Sequence, residues 1–143
     1  MIYTEQTKKA LKLCFEAHKN QVDKSGLPYV FHPFHLAEQM TTETTIITAL
    51  LHDVVEDTDY TLEDLQNMGF SESIIEAVSL LTHPKSGFDY TEYILKIKSN
   101  PIARTVKLAD LRHNSDLSRL DNIDEKILKR FEKYQNAIRL LEE

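Results

Sequence analysis

The sequence is poor in the residues that cross-link, bend or interrupt a chain. Its 143 residues include one cysteine, three glycines, four prolines and no tryptophan. A single cysteine, Cys14, excludes a disulfide framework and a cysteine metal cluster, and it is compatible with a reducing compartment. So few glycines and prolines, with 41% hydrophobic residues, disfavour a disordered chain or a turn-rich sheet protein and favour a folded helical one.

Positive charge and long apolar runs are also scarce. Acidic residues outnumber basic ones by 23 to 17, so the net charge is −6. This argues against a nucleic-acid polymer as partner, because such binding needs a basic patch, whereas a local cluster of Lys and Arg can still bind a small anion. No apolar run approaches the ~18 residues of a membrane span, and no signal peptide opens the chain. We therefore expect a cytoplasmic protein without a membrane partner.

Apolar residues recur every three or four positions along most of the chain, a spacing that predicts helices. The sequence has no internal repeat, low-complexity tract or interdomain linker, and its length suits one buried core. It therefore predicts a single all-α domain over residues 1–143, a bundle of about eight helices. These begin near residues 4, 35, 43, 61, 71, 90, 100 and 123. The third covers about 43–57, and the last, about 123–141, carries an apolar stripe suited to packing within the domain or across a homodimer.

The third helix carries the densest group of reactive side chains. His52, Asp53, Glu56 and Asp57 fall within six residues. On a helical wheel they occupy about 140° of arc, and the apolar residues 50, 51, 54 and 55 occupy the opposite side. Three carboxylates so close together repel one another, so a positive charge is expected among them. The alternative is a solvated acidic face. The adjoining His-Asp pair and the dense apolar residues favour a buried site instead.

Other candidate site residues stand apart in the sequence. His32 precedes Pro33, which predicts an extended residue at the start of a helix. Asp110 and Asn114 share one helix face, and an aspartate among small apolar residues needs a lysine, a hydrogen-bond network or a metal. Lys24 and Ser25 offer a cation and a hydroxyl for a phosphate or a base edge, although an ordinary exposed turn explains them equally well. The His and Asp residues together form a donor set suited to Mn²⁺, Fe²⁺ or Zn²⁺.

Six short segments follow one another in a recognisable order. They are AHKNQ (17–21), KSGLPY (24–29), HP (32–33), ALLHDVVEDT (49–58), KLAD (107–110) and HN (113–114). This order resembles the HD phosphohydrolase superfamily. Within it, the chain is similar to the hydrolase domain of the RelA/SpoT alarmone enzymes, and especially to the free-standing small alarmone hydrolases. The resemblance covers about residues 10 to 120 and implies an HD-domain helical bundle.

The resemblance also implies an activity and a set of residue roles. The activity is removal of the 3′-diphosphate from guanosine tetra- or pentaphosphate, giving GDP or GTP, by a stand-alone hydrolase whose partner is this small nucleotide. The ligands of one Mn²⁺, or of another divalent cation, would be His32, His52, Asp53 and Asp110. Glu56 and Asp57 would orient and deprotonate the attacking water. Lys24, Ser25 and Asn114 would contact the nucleotide.

The chain departs from the family pattern at two places. Asp23 stands where the family commonly has an arginine that packs against guanine, and an aspartate cannot replace that planar cation. Residues 111–114 read Leu-Arg-His-Asn, where the family often has Arg-Leu-His-Asn. Neither change touches the metal set, but the first bears on guanine recognition. Two alternatives follow: an HD phosphohydrolase for another nucleotide or phosphorylated metabolite, and a non-catalytic, nucleotide-binding regulatory module. Retention of Glu56 and Asp57 disfavours the second.

Overall fold

The chain folds into helices throughout. A computed structural model describes all 143 residues as nine α-helices and one short 3₁₀ helix, so the predicted all-α class is confirmed. The α-helices are α1 (Glu5–His18), α2 (Phe31–Glu38), α3 (Glu43–Leu51), α4 (Val54–Asp57), α5 (Leu62–Asn67), α6 (Glu72–Leu81), α7 (Tyr90–Lys98), α8 (Pro101–Asn114) and α9 (Glu125–Glu142); the 3₁₀ helix is Leu117–Arg119. The only extended pairing is an isolated antiparallel bridge between Val22 and Pro28.

Side-chain caps fix the helix starts that the sequence predicts most clearly. At α5, the Thr61 hydroxyl accepts from the amide of Asp64, and the Asp64 carboxylate accepts from the amide of Thr61. This reciprocal pair satisfies two amides that have no partner inside the helix. At α8, Asn100 caps the amide of Ala103 and Pro101 takes the first helical position. Proline is tolerated there because the missing N–H has no acceptor in the first turn.

The predicted helix over 43–57 is wrong in one respect, because the structure interrupts it. α3 ends at Leu51 and α4 begins at Val54, and Asp53 between them has φ −108° and ψ 0°, outside the helical region. The His52 Nδ1 donates to the Ala49 carbonyl at 2.7 Å, taking the acceptor that the amide of Asp53 uses in an uninterrupted helix. The break accounts for nine helices where about eight were predicted.

The core is centred on α3, whose residues from Ile46 to Leu51 are all buried. This helix contacts α1, α2, α6 and α8, so the segment ahead of His52 is surrounded by protein. The hydrophobic cluster contains 29 buried residues and draws on every α-helix. The high apolar density of this segment therefore marks the centre of the core, as the sequence predicted, and not a solvated surface.

Two apolar positions differ from their predicted place. The three- and four-residue spacing of Leu11, Cys14, Phe15 and His18 predicts one buried stripe on the first helix, but the Phe15 side chain is 54% exposed whereas Cys14 is buried. Ile123, at the predicted start of the last helix, is also exposed and precedes α9. A single apolar residue on the surface is common, because polar atoms are too few to cover a folded protein.

The two halves of the apolar stripe of α9 lie in different environments. Its C-terminal residues Ala137, Ile138 and Leu141 are buried in the core. Nearer its N-terminus, Phe131 and Tyr134 line a cavity, and Tyr134 also packs against the edge of the core. A homodimer through this helix stays a prediction. None of the nine α-helices combines the length and apolar content that crossing a membrane requires.

Candidate metal centre and adjoining pocket

The structure places His32 in a helix, so the predicted extended conformation is wrong. His32 lies in the first turn of α2, and its amide donates to the carbonyl of Tyr29 at 2.9 Å. Pro33 follows within the same turn, where its missing N–H removes no helical hydrogen bond. The side chain of His32 is buried and points toward α8.

The four predicted metal ligands come from three separate segments and lie together. His32, His52, Asp53 and Asp110 form this cluster, the metal group. His32 Nε2 is 2.9 Å from Asp110 Oδ1, and His52 Nε2 is 3.6 Å from the same oxygen. His52 Nε2 is also 3.1 Å from Asp53 Oδ2. Ligand atoms of His32, His52 and Asp53 all fall within 4.8 Å of one another, a grouping that could hold a metal ion.

The orientation of His52 directs Nε2 at carboxylates that attract positive charge: burial opposes them, but Asp53 and Asp110 raise the pKa of His52 well above its usual range. Its Nδ1 donates to the Ala49 carbonyl, so in the neutral ring Nε2 carries a lone pair. Nε2 is buried and has no hydrogen-bond partner, although two carboxylate oxygens lie nearby. Metal-binding histidines are typically oriented in this way, with the second ring nitrogen bonded to a carbonyl or carboxylate. Two imidazoles and two carboxylates also match the N/O preference of a divalent transition metal.

Asp110 is held as an anion by its neighbours. Burial alone would raise the pKa of its carboxyl, but Lys107 Nζ at 2.9 Å from Oδ2 and the bonded histidines hold that pKa well below its usual range. Asn114 Nδ2 also donates to Oδ1 at 3.0 Å. Of the three partners that the sequence allowed for this buried aspartate, the structure therefore supplies both the lysine and the hydrogen-bond network.

Two further residues hydrogen-bond to predicted ligands and were missed at the sequence level. The Tyr29 hydroxyl donates to Asp53 Oδ2. His113 Nδ1 lies 2.7 Å from His32 Nδ1, and burial together with Arg119 lowers the pKa of His113 to about 4, so its ring is neutral. Both residues belong to segments of the family pattern, KSGLPY and HN, and that membership was the only available signal.

Glu56 and Asp57, the acidic pair, lie in α4 beside the metal group. Carboxylate oxygens of Asp53, Glu56 and Asp57 lie within 4.8 Å of one another. Burial, and then the charge of Asp53, raise the pKa of both Glu56 and Asp57. The amide of His83, in the loop between α6 and α7, donates to Glu56 Oε1 at 2.9 Å. Glu56 is half-buried and fixed, whereas Asp57 is exposed.

A cavity of about 330 Å³ adjoins the metal group and has His32 in its wall. It lies between the loop after α1, the end of α8, the 3₁₀ helix and the first half of α9. The three residues predicted to contact a nucleotide, Lys24, Ser25 and Asn114, all line it. Arg119 and Arg130 add two cations, and Phe131 and Tyr134 add aromatic surface. Three cations, Lys24 and the two arginines, thus face two carboxylates, Asp23 and Asp116, and the lining has a small positive excess in a protein of net charge −6.

Asp23 is engaged with its own loop and with an arginine from a distant segment. Its Oδ1 accepts from the amides of Ser25 and Leu27 at 2.9 and 3.0 Å. Its Oδ2 lies 3.9 Å from Arg119 Nη2. Arg119 Nη1 donates to the His113 carbonyl at 2.8 Å, so the guanidinium is held at the pocket wall. Sequence reasoning missed Arg119, because nothing in the local pattern brings it to Asp23.

Several known proteins are similar to the chain over most of its length. No protein-family model matches the chain. Over 132 residues it is 33% identical to a guanosine-3′,5′-bis(diphosphate) 3′-pyrophosphohydrolase of Aquifex aeolicus. This alignment covers 85% of the chain and 18% of the relative. It is 32% identical over 124 residues to the bifunctional (p)ppGpp synthase/hydrolase SpoT of Escherichia coli, covering 77% of the chain and 18% of SpoT. The chain belongs to the RelA/SpoT-type HD domains.

The curated relatives are much longer than this RelA/SpoT-type HD domain. The chain spans less than a fifth of the length of these curated relatives. Another relative, 33% identical over 134 residues, is a GTP pyrophosphokinase of Myxococcus xanthus. A solved structure described as a metazoan ortholog of SpoT that hydrolyses ppGpp superposes with a TM-score of 0.77 at 24% identity, covering 99% of the chain and 87% of that protein. This superposition confirms the HD-domain helical fold.

Proposed function

We propose that residues 1–143 form a single HD hydrolase domain that removes the 3′-diphosphate from guanosine tetra- or pentaphosphate, leaving GDP or GTP. The observation that carries this proposal is the convergence of the buried His52 Nε2, which has no hydrogen-bond partner, with His32, Asp53 and Asp110, beside the acidic pair and next to a cavity that has His32 in its wall. Relatives named as 3′-pyrophosphohydrolases support the same substrate. The metal group and the acidic pair favour hydrolysis over the synthesis for which other relatives are named.

His32, His52, Asp53 and Asp110 are proposed to hold one Mn²⁺ or another divalent cation. When bound, such a cation lowers the pKa of water and neutralises charge on the phosphate under attack. Asp110 brings a full negative charge to the site, and a bound cation would take the place of the proton that Asp53 and Asp110 favour on His52 Nε2. Tyr29 and His113 hold Asp53 and His32 in place through the hydrogen bonds described above.

Glu56 and Asp57 are proposed to handle the attacking water. In the reaction, a water oxygen bonds to the phosphorus attached at the 3′ oxygen, the phosphorus–3′-oxygen bond breaks, and diphosphate leaves. The proton from the water goes to a carboxylate, and a proton from this carboxylate or from solvent converts the 3′ oxygen into a hydroxyl. Glu56 suits the role of base because its pKa is raised and its Oε1 is fixed by the His83 amide.

The pocket is proposed to hold the nucleotide. Lys24 and the two arginines supply positive charge for phosphates, and Phe131 with Tyr134 offers aromatic surface for a base. Ser25 and Asn114 line the same wall. Asp23 in place of the family arginine favours a second candidate, the same chemistry on another nucleotide or phosphorylated metabolite. Cytoplasmic location and a homodimer stay predictions from the sequence.

One assay tests this proposal and separates it from its alternatives. Purified protein with Mn²⁺ is incubated with a panel of nucleotides that includes guanosine tetraphosphate, and diphosphate and orthophosphate are quantified separately. Diphosphate from the tetraphosphate supports the proposal. If only other nucleotides of the panel release orthophosphate or diphosphate, the second candidate is supported instead. Absence of turnover, with nucleotide raising the melting temperature, would indicate a regulatory binding module and overturn the proposed activity.

A further inference from the structure

The four-residue helix α4 carries the acidic pair and has few hydrogen bonds of its own. A helix this short leaves nearly all of its carbonyls without partners inside the helix. Inside the segment, the amide of Asp57 bonds to the carbonyl of Asp53 at 2.9 Å. The buried Val54 anchors this segment in the core, and the Thr58 hydroxyl donates to the Val54 carbonyl, whereas Glu56 and Asp57 themselves accept from donors in other parts of the chain. One of these is the amide of His83 on Glu56.

The second external donor is Gln21, which follows α1. Its Nε2 donates to the main-chain carbonyl of Asp57 at 3.1 Å. Its Oε1 lies 2.8 Å from His18 Nδ1. A carbonyl can only accept, so the amide nitrogen of Gln21 must face Asp57 and its oxygen must face His18. It follows that His18 Nδ1 carries the hydrogen and donates it.

His18 is fully buried and is committed to this one bond. Its Nε2 has no hydrogen-bond partner. Burial lowers the pKa of the ring, so His18 is neutral and has a single N–H to donate. Leaving this ring nitrogen buried and unpaired costs free energy, but the same ring orientation lets Nδ1 fix the Gln21 amide. The AHKNQ segment thus has a structural task beyond the residue roles proposed above.

The main chain of Gln21 is anchored as firmly as its side chain. Its amide donates to the carbonyl of His18 at 2.9 Å, and its carbonyl accepts from the amide of Tyr29 at 2.9 Å. Tyr29 is the residue whose hydroxyl donates to Asp53. Gln21 is therefore tied to α1, to the loop that leads to the metal group, and to the end of α4.

We propose that Gln21, oriented by His18, is a positioning residue that fixes α4 so that Glu56 and Asp57 face the attacking water. With the His83 amide on Glu56, it forms the second of two clamps, one on each acidic residue. This inference rests on the proposed function for the role of the acidic pair. The clamp itself rests only on the hydrogen bonds and on the burial of His18.

Gln21→Met tests the consequence for turnover, because methionine keeps the length of the side chain and removes both hydrogen bonds. We expect kcat to fall by about 10- to 100-fold with KM and Mn²⁺ stoichiometry unchanged, as misplacement by 1 Å can cost about 10²-fold. The matched control is Gln39→Met, since Gln39 is exposed and its Nε2 also donates to a main-chain carbonyl, that of His35. That variant should keep wild-type kcat. A Gln21→Met enzyme with wild-type kcat would overturn the inference.

A conservative pair at His18 separates positioning from a general loss of folding. His18→Asn keeps an N–H near the place of Nδ1, whereas His18→Ala removes the donor. The Asn variant should recover most of the kcat that the Ala variant loses. Equal losses in both, with parallel falls in melting temperature and Mn²⁺ stoichiometry, would mean that His18 matters only for folding, and would contradict its assigned role.

Hydrogen exchange tests the clamp without any substrate. In Gln21→Met, peptides covering residues 53–60 should exchange at least tenfold faster than in wild type or Gln39→Met, while peptides from α3 and α8 keep their rates. Unchanged exchange at 53–60 would overturn the clamp even if turnover fell. If wild-type protein releases no diphosphate, the proposed function fails, and this measurement still decides whether Gln21 holds α4.

Discussion

At the scale of single residues, burial and the nearest charge give chemically similar carboxyls different tasks. Lys107 and the bonded histidines hold the pKa of Asp110 well below its usual range, against the effect of burial. Burial and the charge of Asp53 raise the pKa of Glu56. An anion at all working pH values suits a metal ligand, whereas a carboxylate of raised pKa suits a base. The sequence alone offers no way to tell these environments apart.

This division predicts different outcomes for two alanine substitutions. Asp53→Ala removes a proposed ligand, so Mn²⁺ binding and diphosphate release should be lost together. Glu56→Ala removes the proposed base, so kcat should fall by about 10²- to 10⁴-fold while Mn²⁺ still binds. Calorimetric titration with Mn²⁺ and an assay of diphosphate release make the comparison. A fully active Glu56→Ala enzyme would show that the base is assigned to the wrong residue.

Arg119 is predicted to bind the substrate although no motif marks it. Asp23 and the His113 carbonyl hold its guanidinium at the pocket wall, where it adds a planar cation. Arg119→Ala should raise KM for guanosine tetraphosphate by at least tenfold, with a smaller change in kcat, because a charge-assisted contact contributes about 1.5–3 kcal/mol. Arg119→Lys should recover only part of this, since it keeps the charge and loses the plane. Steady-state kinetics decide; an unchanged KM in Arg119→Ala would exclude the contact.

At the scale of the helices, the break between α3 and α4 separates the two halves of the acidic segment. α3 is buried in the core and ends at the His-Asp pair, so packing fixes the metal group. α4 is short and reaches the surface, so beyond the buried Val54 it is positioned by the Gln21 side chain, in the loop after α1, and by the His83 amide in the α6–α7 loop. One continuous helix would have tied both groups to a single rigid axis.

The central place of α3 predicts a large stability cost for cavities within it. Leu50 is fully buried there, so Leu50→Ala should lower the free energy of unfolding by about 2–5 kcal/mol. Leu128 in α9 is half exposed, and Leu128→Ala should change it by no more than about 0.5 kcal/mol. Urea unfolding followed by circular dichroism measures both. Equal costs for the two variants would contradict the assignment of α3 as the centre of the core.

At the scale of the whole molecule, the site exists only because distant segments meet. The proposed ligands come from α2, from the junction of α3 and α4, and from α8. The composition and the apolar period predict the all-α class, and caps such as those at Thr61 and Asn100 predict helix starts, because these signals are local. The pairing of Asp23 with Arg119, the clamp on α4 and the cavity beside α9 depend on contacts between segments, so no local pattern carries them.

The extent of the site predicted from the sequence follows the same division. The nearness of His52 to Asp53 and of Asp110 to Asn114 follows from spacing along one segment. The meeting of these pairs with His32 entered only through the family resemblance. Two local rules also failed: Pro33 did not keep His32 extended, because it lies within the first helical turn, and His52 interrupted a helix whose composition favours continuity.

Metal binding across these segments predicts a stabilisation of the whole fold. A cation that binds the native state alone adds RT ln(1 + [L]/Kd), about 2.7 kcal/mol at 100 times Kd. Mn²⁺ should therefore raise the melting temperature of the wild type, and EDTA should reverse the rise. Asp53→Asn, with nearly the same shape and one charge less, should show little or no rise. An equal rise in both proteins would place the bound metal elsewhere.

The central claim is that this fold assembles a metal-dependent 3′-phosphohydrolase from the His-Asp group, the acidic pair and the pocket. Phosphorus NMR of guanosine tetraphosphate, incubated with the protein and Mn²⁺, follows the two diphosphates of the substrate separately. The account predicts that the 3′-diphosphate signals disappear as free diphosphate forms, while the 5′-diphosphate signals persist as GDP. Loss of the 5′ signals, release of orthophosphate, or an unchanged spectrum would contradict it.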